Sequence, residues 1–286
     1  MHRRELLKSV IAGAVTRILT AQQRVNESLA VLDAGGANVV AFSAPDGVVL
    51  VDSGKPKSSV AAGSKVQTLF NTHYHIDQTG NNEVFGAAGA KIIAHERTRQ
   101  WMSSDYWVPG EDRYEKARPK AARPTEVFQT TGSLKTGAEQ IDYGYLPLAH
   151  TSGDIYVFFR NANVLAVGDV ASPLVDPSLD YFTGAWIGGR VDAMDVLLKL
   201  ANAQTRIVPA YGPVMTLAEL KAERDMMEEV RARLFKTVRE GDGPRDMLEA
   251  GVLKGLPRTW KNPNKFLYDA AKGLWAHHDK LDPNVV

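Results

Sequence analysis

Two histidines and an aspartate follow one short apolar segment, and they restrict the fold more than any other feature of the chain. Val66–Phe70 has the length and composition of a buried strand, and His73, His75 and Asp77 come soon after it. Residues at i and i+2 share one side of an extended chain but not one side of a helix. We therefore predict that these three side chains converge above the end of a strand.

Two further residues suited to metal binding, His150 and Asp169, follow other predicted strands. The chain contains no cysteine, so a metal site must use imidazole and carboxylate groups, and thiolate chemistry is excluded. Three neutral imidazoles with an open fourth position are a ligand set of catalytic zinc. The sequence thus predicts a site for Zn²⁺ on His73, His75 and His150, with Asp77 and Asp169 beside it.

Short apolar segments and amphipathic helices are mixed along the chain. Residues 45–47, Pro-Asp-Gly, separate two apolar segments and predict a hairpin. Thr216 and Glu219 have the spacing of a capping box, and Gly241 predicts the end of the helix that they begin. This mixture predicts an α/β domain built in layers.

The motifs around the candidate ligands resemble those of the metallo-β-lactamase superfamily. H-x-H-x-D at residues 73–77, H-T-x-G-D at residues 150–154 and the later Gly168-Asp169 occur in the family's order and spacing, and Leu50–Gly54 is similar to its strand-Asp-Thr-Gly element. The resemblance runs from about residue 29 to residue 240. It implies an αββα sandwich over residues 23–286, with the metal site at one edge between the two sheets.

Two positions depart from the family pattern. Gln78 and Tyr211 stand where the family usually has histidines, and both of those histidines belong to its second metal site. Asp77 serves the second metal in the family, and Asp169 bridges the two metals in many members. The resemblance therefore implies one firmly held Zn²⁺, and it leaves open whether Gln78 or Tyr211 binds a second metal or lies behind the ligands.

The resemblance implies a metal-dependent hydrolase that attacks a small ester, lactone or amide-type substrate through a zinc-bound hydroxide. We predict that Asp77 orients the attacking water or accepts its proton, and that Tyr211 donates a hydrogen bond to the developing oxyanion. Gln78 would do the same or hold Asp77. β-Lactam cleavage is one possibility among the family's activities, because a fold does not select a substrate. The alternative is a catalytically degenerate member that binds a metal or ligand without hydrolysis.

Residues 103–125 are rich in proline and in charges of both signs, so they predict a loop-like insertion. It is either a solvated surface segment or a lid over the site. Aromatic residues are concentrated in residues 101–107 and 181–186. They either border a cleft for a small-molecule substrate or pack the insertion against the body of the domain.

The overall charge and the N-terminus bear on partners and location. Net charge is +1, with 34 basic and 33 acidic residues and no basic cluster, which is unlike a nucleic-acid-binding protein. No segment after the N-terminus has the apolar length of a membrane span.

Residues 1–22 place Arg3 and Arg4 before an apolar stretch, similar to a twin-arginine export signal, and so predict a periplasmic location. Arg17 interrupts that stretch, so the alternative is an amphipathic helix of a cytoplasmic protein.

Overall fold

A computed structural model describes residues 23–60, 64–108 and 112–277. The predicted export signal lies outside these ranges and stays a prediction. The described strands are β1 (Gln23–Arg24), β2 (Leu29–Asp33), β3 (Asn38–Ala44), β4 (Gly47–Val51), β5 (Val66–Phe70), β6 (Lys91–His95), β7 (Tyr106–Val108), β8 (Arg113–Glu115), β9 (Glu126–Phe128), β10 (Thr131–Thr136), β11 (Glu139–Tyr145), β12 (Ile155–Phe159), β13 (Val164–Gly168) and β14 (Arg206–Pro209). The described helices are α1 (Ile76–Thr79), α2 (Asn82–Ala87), α3 (Glu96–Ser103), α4 (Ile187–Leu200), α5 (Leu217–Glu240), α6 (Pro244–Glu249) and α7 (Pro263–Ala276), with 3₁₀ turns at Lys120–Ala122 and Tyr181–Thr183.

Two large sheets face each other and are covered by helices on their outer sides. One sheet has the order β1-β2-β3-β4-β5-β6-β9 and the other the order β10-β11-β12-β13-β14. Phe70 of the first sheet and Phe159 of the second belong to one buried cluster between them. Phe85 of α2 packs on the outer face of the first sheet, while α4, α5 and α7 cover the second. The predicted αββα sandwich is confirmed.

Strand β3 shows how the sequence produces these layers. Val40 and Phe42 belong to the cluster between the sheets, while Val39 and Ala41 belong to the cluster beneath the helices. Successive residues of a strand point to opposite faces, so a strand that is apolar at every position is buried on both. Complete burial of one such valine or phenylalanine contributes about 1.5–3 kcal/mol.

Local sequence signals were reliable at turns and helix ends. Ala44 pairs with Gly47 across the predicted hairpin turn. The Thr216 side chain accepts from Glu219 N, and the Glu219 carboxylate accepts from Thr216 N, so the capping box is confirmed. Gly241 ends the same helix with φ of 84°, in the left-handed region that glycine adopts without a steric penalty.

Two local predictions were wrong. Strand β5 ends at Phe70, and Asp77 lies in the first turn of α1, so Asp77 does not reach the site along an extended chain. The insertion is not wholly irregular, because β7 and β8 form a hairpin in which Trp107 pairs with Tyr114. The sequence signal was weak there because both of these side chains are exposed, so no apolar periodicity marks the strands.

A buried arginine fastens the loop after β13 to the helical layer. The fully buried Arg190 of α4 donates to Asp169 O at 2.7 Å and to Ser172 Oγ at 2.8 Å. Its guanidinium also lies 3.4 Å from the carboxylate of Glu223 on α5. A buried charge needs such partners to offset its desolvation, so Arg190 holds the backbone of Asp169 in place.

Among the helices of the described residues, none has both the length and the apolar character needed to cross a membrane.

Candidate metal centre

The three predicted histidines meet at one edge of the sandwich. His73 and His75 lie between β5 and α1, and His150 lies in the loop between β11 and β12. One ligand nitrogen from each lies within 4.8 Å of the others, and Nε2 of His150 is 3.1 Å from Nδ1 of His75. The two loops are joined directly, because Ile155 N donates to Thr72 O at 2.9 Å. The structure therefore brings together ligands from both sheets.

Two buried aspartates hold the loops that carry these ligands. Asp52 accepts hydrogen bonds from the backbone N–H and the hydroxyl of Thr72, next to His73. Asp154 accepts from the backbone N–H groups of His150 and Thr151. Burial raises the pKa of Asp52 to about 8 and that of Asp154 to about 7, against the opposing effect of these hydrogen bonds. Each carboxyl group thus fixes the backbone that carries a candidate ligand.

The hydrogen bonds of His73 leave its Nε2 free to bind a cation. With Asp52 ionised, the Thr72 hydroxyl donates to its carboxylate at 2.7 Å and so accepts from His73 Nδ1, which lies 3.1 Å away. The proton is then on Nδ1, and Nε2 presents a lone pair. This Nε2 is buried and has no hydrogen-bond partner among the described residues. An unpartnered buried polar atom costs about 1–3 kcal/mol, which a bound metal ion would recover.

The other two imidazoles are oriented in the same manner. His75 Nε2 lies 3.2 Å from the carboxylate of Asp180, and His150 Nδ1 lies 2.9 Å from Ser178 O. Both acceptors favour a proton on the nitrogen that faces them. Nδ1 of His75 and Nε2 of His150 are then unprotonated, and each presents a lone pair. Hydrogen bonding of the outer nitrogen to a carboxylate or carbonyl is typical of histidines that bind metals.

The pKa shifts of two of the three histidines, His73 and His150, also suit a cation. Burial lowers the pKa of His73 well below its usual value, and burial together with the neighbouring His75 lowers that of His150 to about 3. Burial lowers the pKa of His75 as well, but the hydrogen bond and charge of Asp180 outweigh it, and the net shift is upward. Neutral imidazoles are the form that binds zinc.

Asp169 lies where a carboxylate is costly without a cation. Its Oδ2 is 3.6 Å from His73 Nε2 and 3.8 Å from His150 Nε2, too far for good hydrogen bonds. Burial, with a further contribution from Asp77, raises the pKa of Asp169 to about 7. A divalent cation among these groups would offset that cost. The residues present therefore fit a metal ion with nitrogen ligands.

The two unusual positions, Gln78 and Tyr211, lie beside this cluster. The Tyr211 hydroxyl donates a hydrogen bond to Asp77 Oδ2. Burial, followed by this bond and the charge of Asp77, raises the pKa of Tyr211, so its hydroxyl keeps its proton at neutral pH. Gln78 is fully buried beside Tyr211, and among the described residues its amide makes no hydrogen bond of good geometry, only a weak interaction with the Tyr211 hydroxyl. Tyr211 is therefore engaged with Asp77.

Three of the residues that orient the ligands were not predicted from the sequence: Thr72, Ser178 and Asp180. The Asp180 carboxylate also accepts from the Tyr74 hydroxyl at 2.5 Å. It therefore contacts both Tyr74 and His75 of the H-x-H-x-D motif. Asp180 is 105 positions from His75, and no spacing rule links them. The only available signal was its place next to the aromatic segment at residues 181–186.

Replacing Asp180 with asparagine is expected to weaken zinc binding about 10- to 100-fold, the usual effect of losing such a partner of a ligand. The asparagine keeps the size of the side chain but removes the charge that fixes the proton on His75 Nε2. Competition with a fluorescent zinc chelator measures the change. Asp176→Asn, in the same loop, is the matched control, because Asp176 accepts from the backbone of Lys261 and Asn262 rather than from a ligand. Equal affinities in wild type and D180N would contradict the assignment.

A cleft of about 430 Å³ opens beside the histidines. His75, Asp77 and Asp180 line it on the site side. The hairpin β7–β8 provides another wall, so the insertion borders the site rather than lying apart from it. The aromatic residues take both predicted roles: Trp101 packs against the ring of Phe182 with centroids 5.2 Å apart, while Phe182 itself lines the cleft.

An αββα sandwich with three converging imidazoles at its edge defines a class of metal-binding proteins. Residues 26–233 match the family model of the metallo-beta-lactamase superfamily. This match covers most of the chain, and the protein belongs to that superfamily.

Known proteins similar to this chain agree with the assignment. Metallo-beta-lactamase IND-1 of Chryseobacterium indologenes is 24% identical over 146 residues, which is 51% of this chain and 55% of that protein. The chain thus matches about half the length of this relative. A metallo-beta-lactamase family protein of Thermus thermophilus superposes with a TM-score of 0.64 and 15% identity, over 90% of this chain and 95% of its own. A metallo-beta-lactamase of Pontibacter korlensis gives 0.58 and 17%, over 72% and 97%. At these identities the structures support the fold alone.

Proposed function

We propose that the protein is a zinc-dependent hydrolase of a small ester, lactone or amide-type substrate. The observation that carries the proposal is the buried, unpartnered Nε2 of His73, which faces the lone pairs of His75 and His150. Imidazole ligands favour Zn²⁺ over Mg²⁺, Ca²⁺ and Mn²⁺, which prefer oxygen. Membership of a superfamily composed mostly of metal-dependent hydrolases supports the same reaction class.

The residues around the three histidines have roles in this proposal that follow from their contacts. When bound there, Zn²⁺ supplies Lewis acidity that makes water nucleophilic near neutral pH. Asp77 lines the cleft next to His75, and we assign it to orient the attacking water and to accept its proton. Tyr211 holds the Asp77 carboxylate in place through its hydroxyl. For Tyr211 to donate to an oxyanion instead, this hydrogen bond must first break.

We propose one firmly held Zn²⁺ per chain. At the family's second position this protein offers oxygen atoms, from Asp77, Asp169 and Tyr211, and the amide of Gln78 in place of imidazoles. Oxygen ligands suit harder cations, so zinc affinity at that position falls. The Tyr211 hydroxyl also takes part of the hydrogen-bonding capacity of Asp77.

The alternative is a member of the superfamily that binds a metal or ligand without hydrolysis. The observation that favours it is the same bond between Tyr211 and Asp77, because a carboxylate oxygen that already accepts a hydrogen bond is less available to a water molecule. This alternative and the hydrolase share the metal site and differ only in turnover.

Metal analysis combined with a substrate panel tests the proposal. Protein purified without added metal is analysed for zinc and assayed with simple esters, lactones, amides and a β-lactam. We expect about one zinc per chain, turnover of at least one substrate, loss of turnover with a chelator and recovery with added Zn²⁺. Turnover that persists in metal-free protein would refute the zinc mechanism, and bound zinc without turnover on any substrate would favour the alternative.

A further inference from the structure

Part of the cleft beside the histidines has no role in the proposed bond cleavage. Its outer walls come from the hairpin β7–β8, the 3₁₀ turn at Tyr181–Thr183 and helix α7. A volume of about 430 Å³ is within the range of small-molecule sites. Helix α7 begins at Pro263, beyond residue 233 where the family match ends. This part of the cleft is therefore built partly from the chain's own C-terminal region.

Aromatic rings form much of these walls. Tyr74, Tyr106 and Phe182 make one connected group, in which Tyr106 lies 6.2 Å from Tyr74 and 5.9 Å from Phe182 between ring centroids. Tyr181 and Tyr268 make a second pair at 6.0 Å, nearly perpendicular to each other. All five line the cleft, and 39% of Tyr268 is exposed. These rings pack against one another at the distances of edge and offset contacts, so an aromatic ligand that enters here meets a surface already built of ring edges and faces.

The charged residues of the walls already have partners. Arg113 and Arg118 both pair with the carboxylate of Glu115. Lys265 of α7 pairs with Asp269 one turn later, at 2.8 Å. The side chains of Arg113 and Lys265 are 51% and 56% exposed, so a charged substrate group that displaced one of their partners would gain little beyond its own hydration. The walls therefore favour an uncharged group.

We propose that this cleft binds an uncharged aromatic group of the substrate, and that Tyr106 and Tyr268 are specificity-determining residues. The proposal rests on the hydrolase function and specifies its substrate class: aryl-substituted rather than short aliphatic esters, lactones or amides. The aromatic group occupies the outer cleft, while the bond to be cleaved lies next to His75 and Asp77.

Two measurements on the zinc-loaded, full-length protein test this. The first is the binding of 2-naphthol, followed by its fluorescence, which needs no turnover. The second compares hydrolysis of ethyl phenylacetate with that of ethyl acetate, two esters with the same leaving group. The variants are Tyr106→Ala and Tyr268→Ala, with Tyr268→Phe as the conservative change. Trp275→Ala is the matched control, since Trp275 lies on the same helix, is 56% exposed and does not line the cleft.

We expect Y268A and Y106A to bind 2-naphthol about three- to tenfold more weakly, the value of one aromatic contact. Y268F and W275A should bind as wild type does. The KM for ethyl phenylacetate should rise by the same factor, while that for ethyl acetate stays constant. Tyr268 is partly exposed, so Y268A keeps the fold even if Y106A does not.

The outcomes separate the two proposals. Unchanged 2-naphthol binding in Y268A, or an equal loss in W275A, overturns the assignment of the cleft even if the esters are hydrolysed. Selective loss of binding in Y268A, with no hydrolysis of either ester by wild type, supports the aromatic site and counts against these esters as substrates. A KM for ethyl acetate that rises together with that for ethyl phenylacetate overturns the specificity role.

Discussion

Replacing His150 with alanine is expected to abolish zinc binding and hydrolysis together. His150 is almost fully buried, and its Nε2 is one of three nitrogens that face the same point. Two imidazoles hold zinc far less tightly than three, and the Lewis acidity lost with the ion is worth several kcal/mol. At about 1.4 kcal/mol per factor of ten, turnover should fall by roughly 10³-fold or more. Zinc content after dialysis and the rate on the best substrate of the panel measure both effects.

The matched control is His277→Ala, because a general effect of removing a histidine must be separated from the loss of a ligand. His277 donates to Gly184 O at 2.9 Å and stacks on Trp186, away from the cluster. H277A should keep its zinc and its activity. The zinc mechanism would be wrong if H150A lost its metal but retained turnover, and the ligand assignment would be wrong if H150A kept zinc with wild-type affinity.

The sequence predicted that three histidines meet because each is tied to a local signal. His73, His75 and His150 follow apolar segments whose burial fixes where the strands run, and strands that end at one edge deliver their next residues there. The helix capped by Thr216 was predictable for a similar reason. Its cap depends on hydrogen bonds between residues three positions apart.

The residues that orient the ligands were not predictable, because their contacts are long-range. Asp180 reaches His75 across 105 positions, and Ser178 reaches His150 through a backbone carbonyl that any residue could provide. Arg190 is one of four charged residues in α4, with Asp192, Asp195 and Lys199, and nothing local marks it as the one that is fully buried against Asp169 and Glu223. Only the packing of α4 and α5 on the second sheet brings Arg190, Asp169 and Glu223 together.

The position of Asp77 shows a second limit of prediction from the sequence. The i, i+2 argument for an extended chain does not hold for Asp77, which lies in a helical turn, and its role at the metal site stays a prediction. The hydrogen bond that Asp77 accepts comes from Tyr211, 134 positions later. The motifs predicted a place for both residues at the metal site, but no signal in them indicated this contact. That contact bears directly on how many metal ions the site holds.

The double variant Gln78→His with Tyr211→His is expected to raise zinc binding from about one to about two ions per chain. Both imidazoles replace weaker ligands, and removal of the Tyr211 hydroxyl frees Asp77 Oδ2. Gln78 is fully buried and its amide makes no hydrogen bond of good geometry among the described residues, so a histidine of similar size gives up only the weak interaction with Tyr211, which the double variant also replaces. Elemental analysis after removal of excess metal gives the stoichiometry, and titration of metal-free protein gives the two affinities.

The double variant both adds two imidazoles and frees Asp77 Oδ2. Tyr211→Phe separates these two effects on zinc content, because it frees Asp77 without adding a ligand. If one imidazole-rich site is all that wild type offers, Y211F should still bind about one zinc, and only the double variant should bind two. A wild-type content near two ions that falls to one in Y211F would instead make the Tyr211 oxygen a ligand. A double variant that still binds one ion would show that Asp77 and Asp169 do not form a second site in this protein. The first outcome assigns the limit to the missing imidazoles, the second makes the Tyr211 oxygen a metal ligand, and the third leaves the bond between Tyr211 and Asp77 only to hold the Asp77 carboxylate in place.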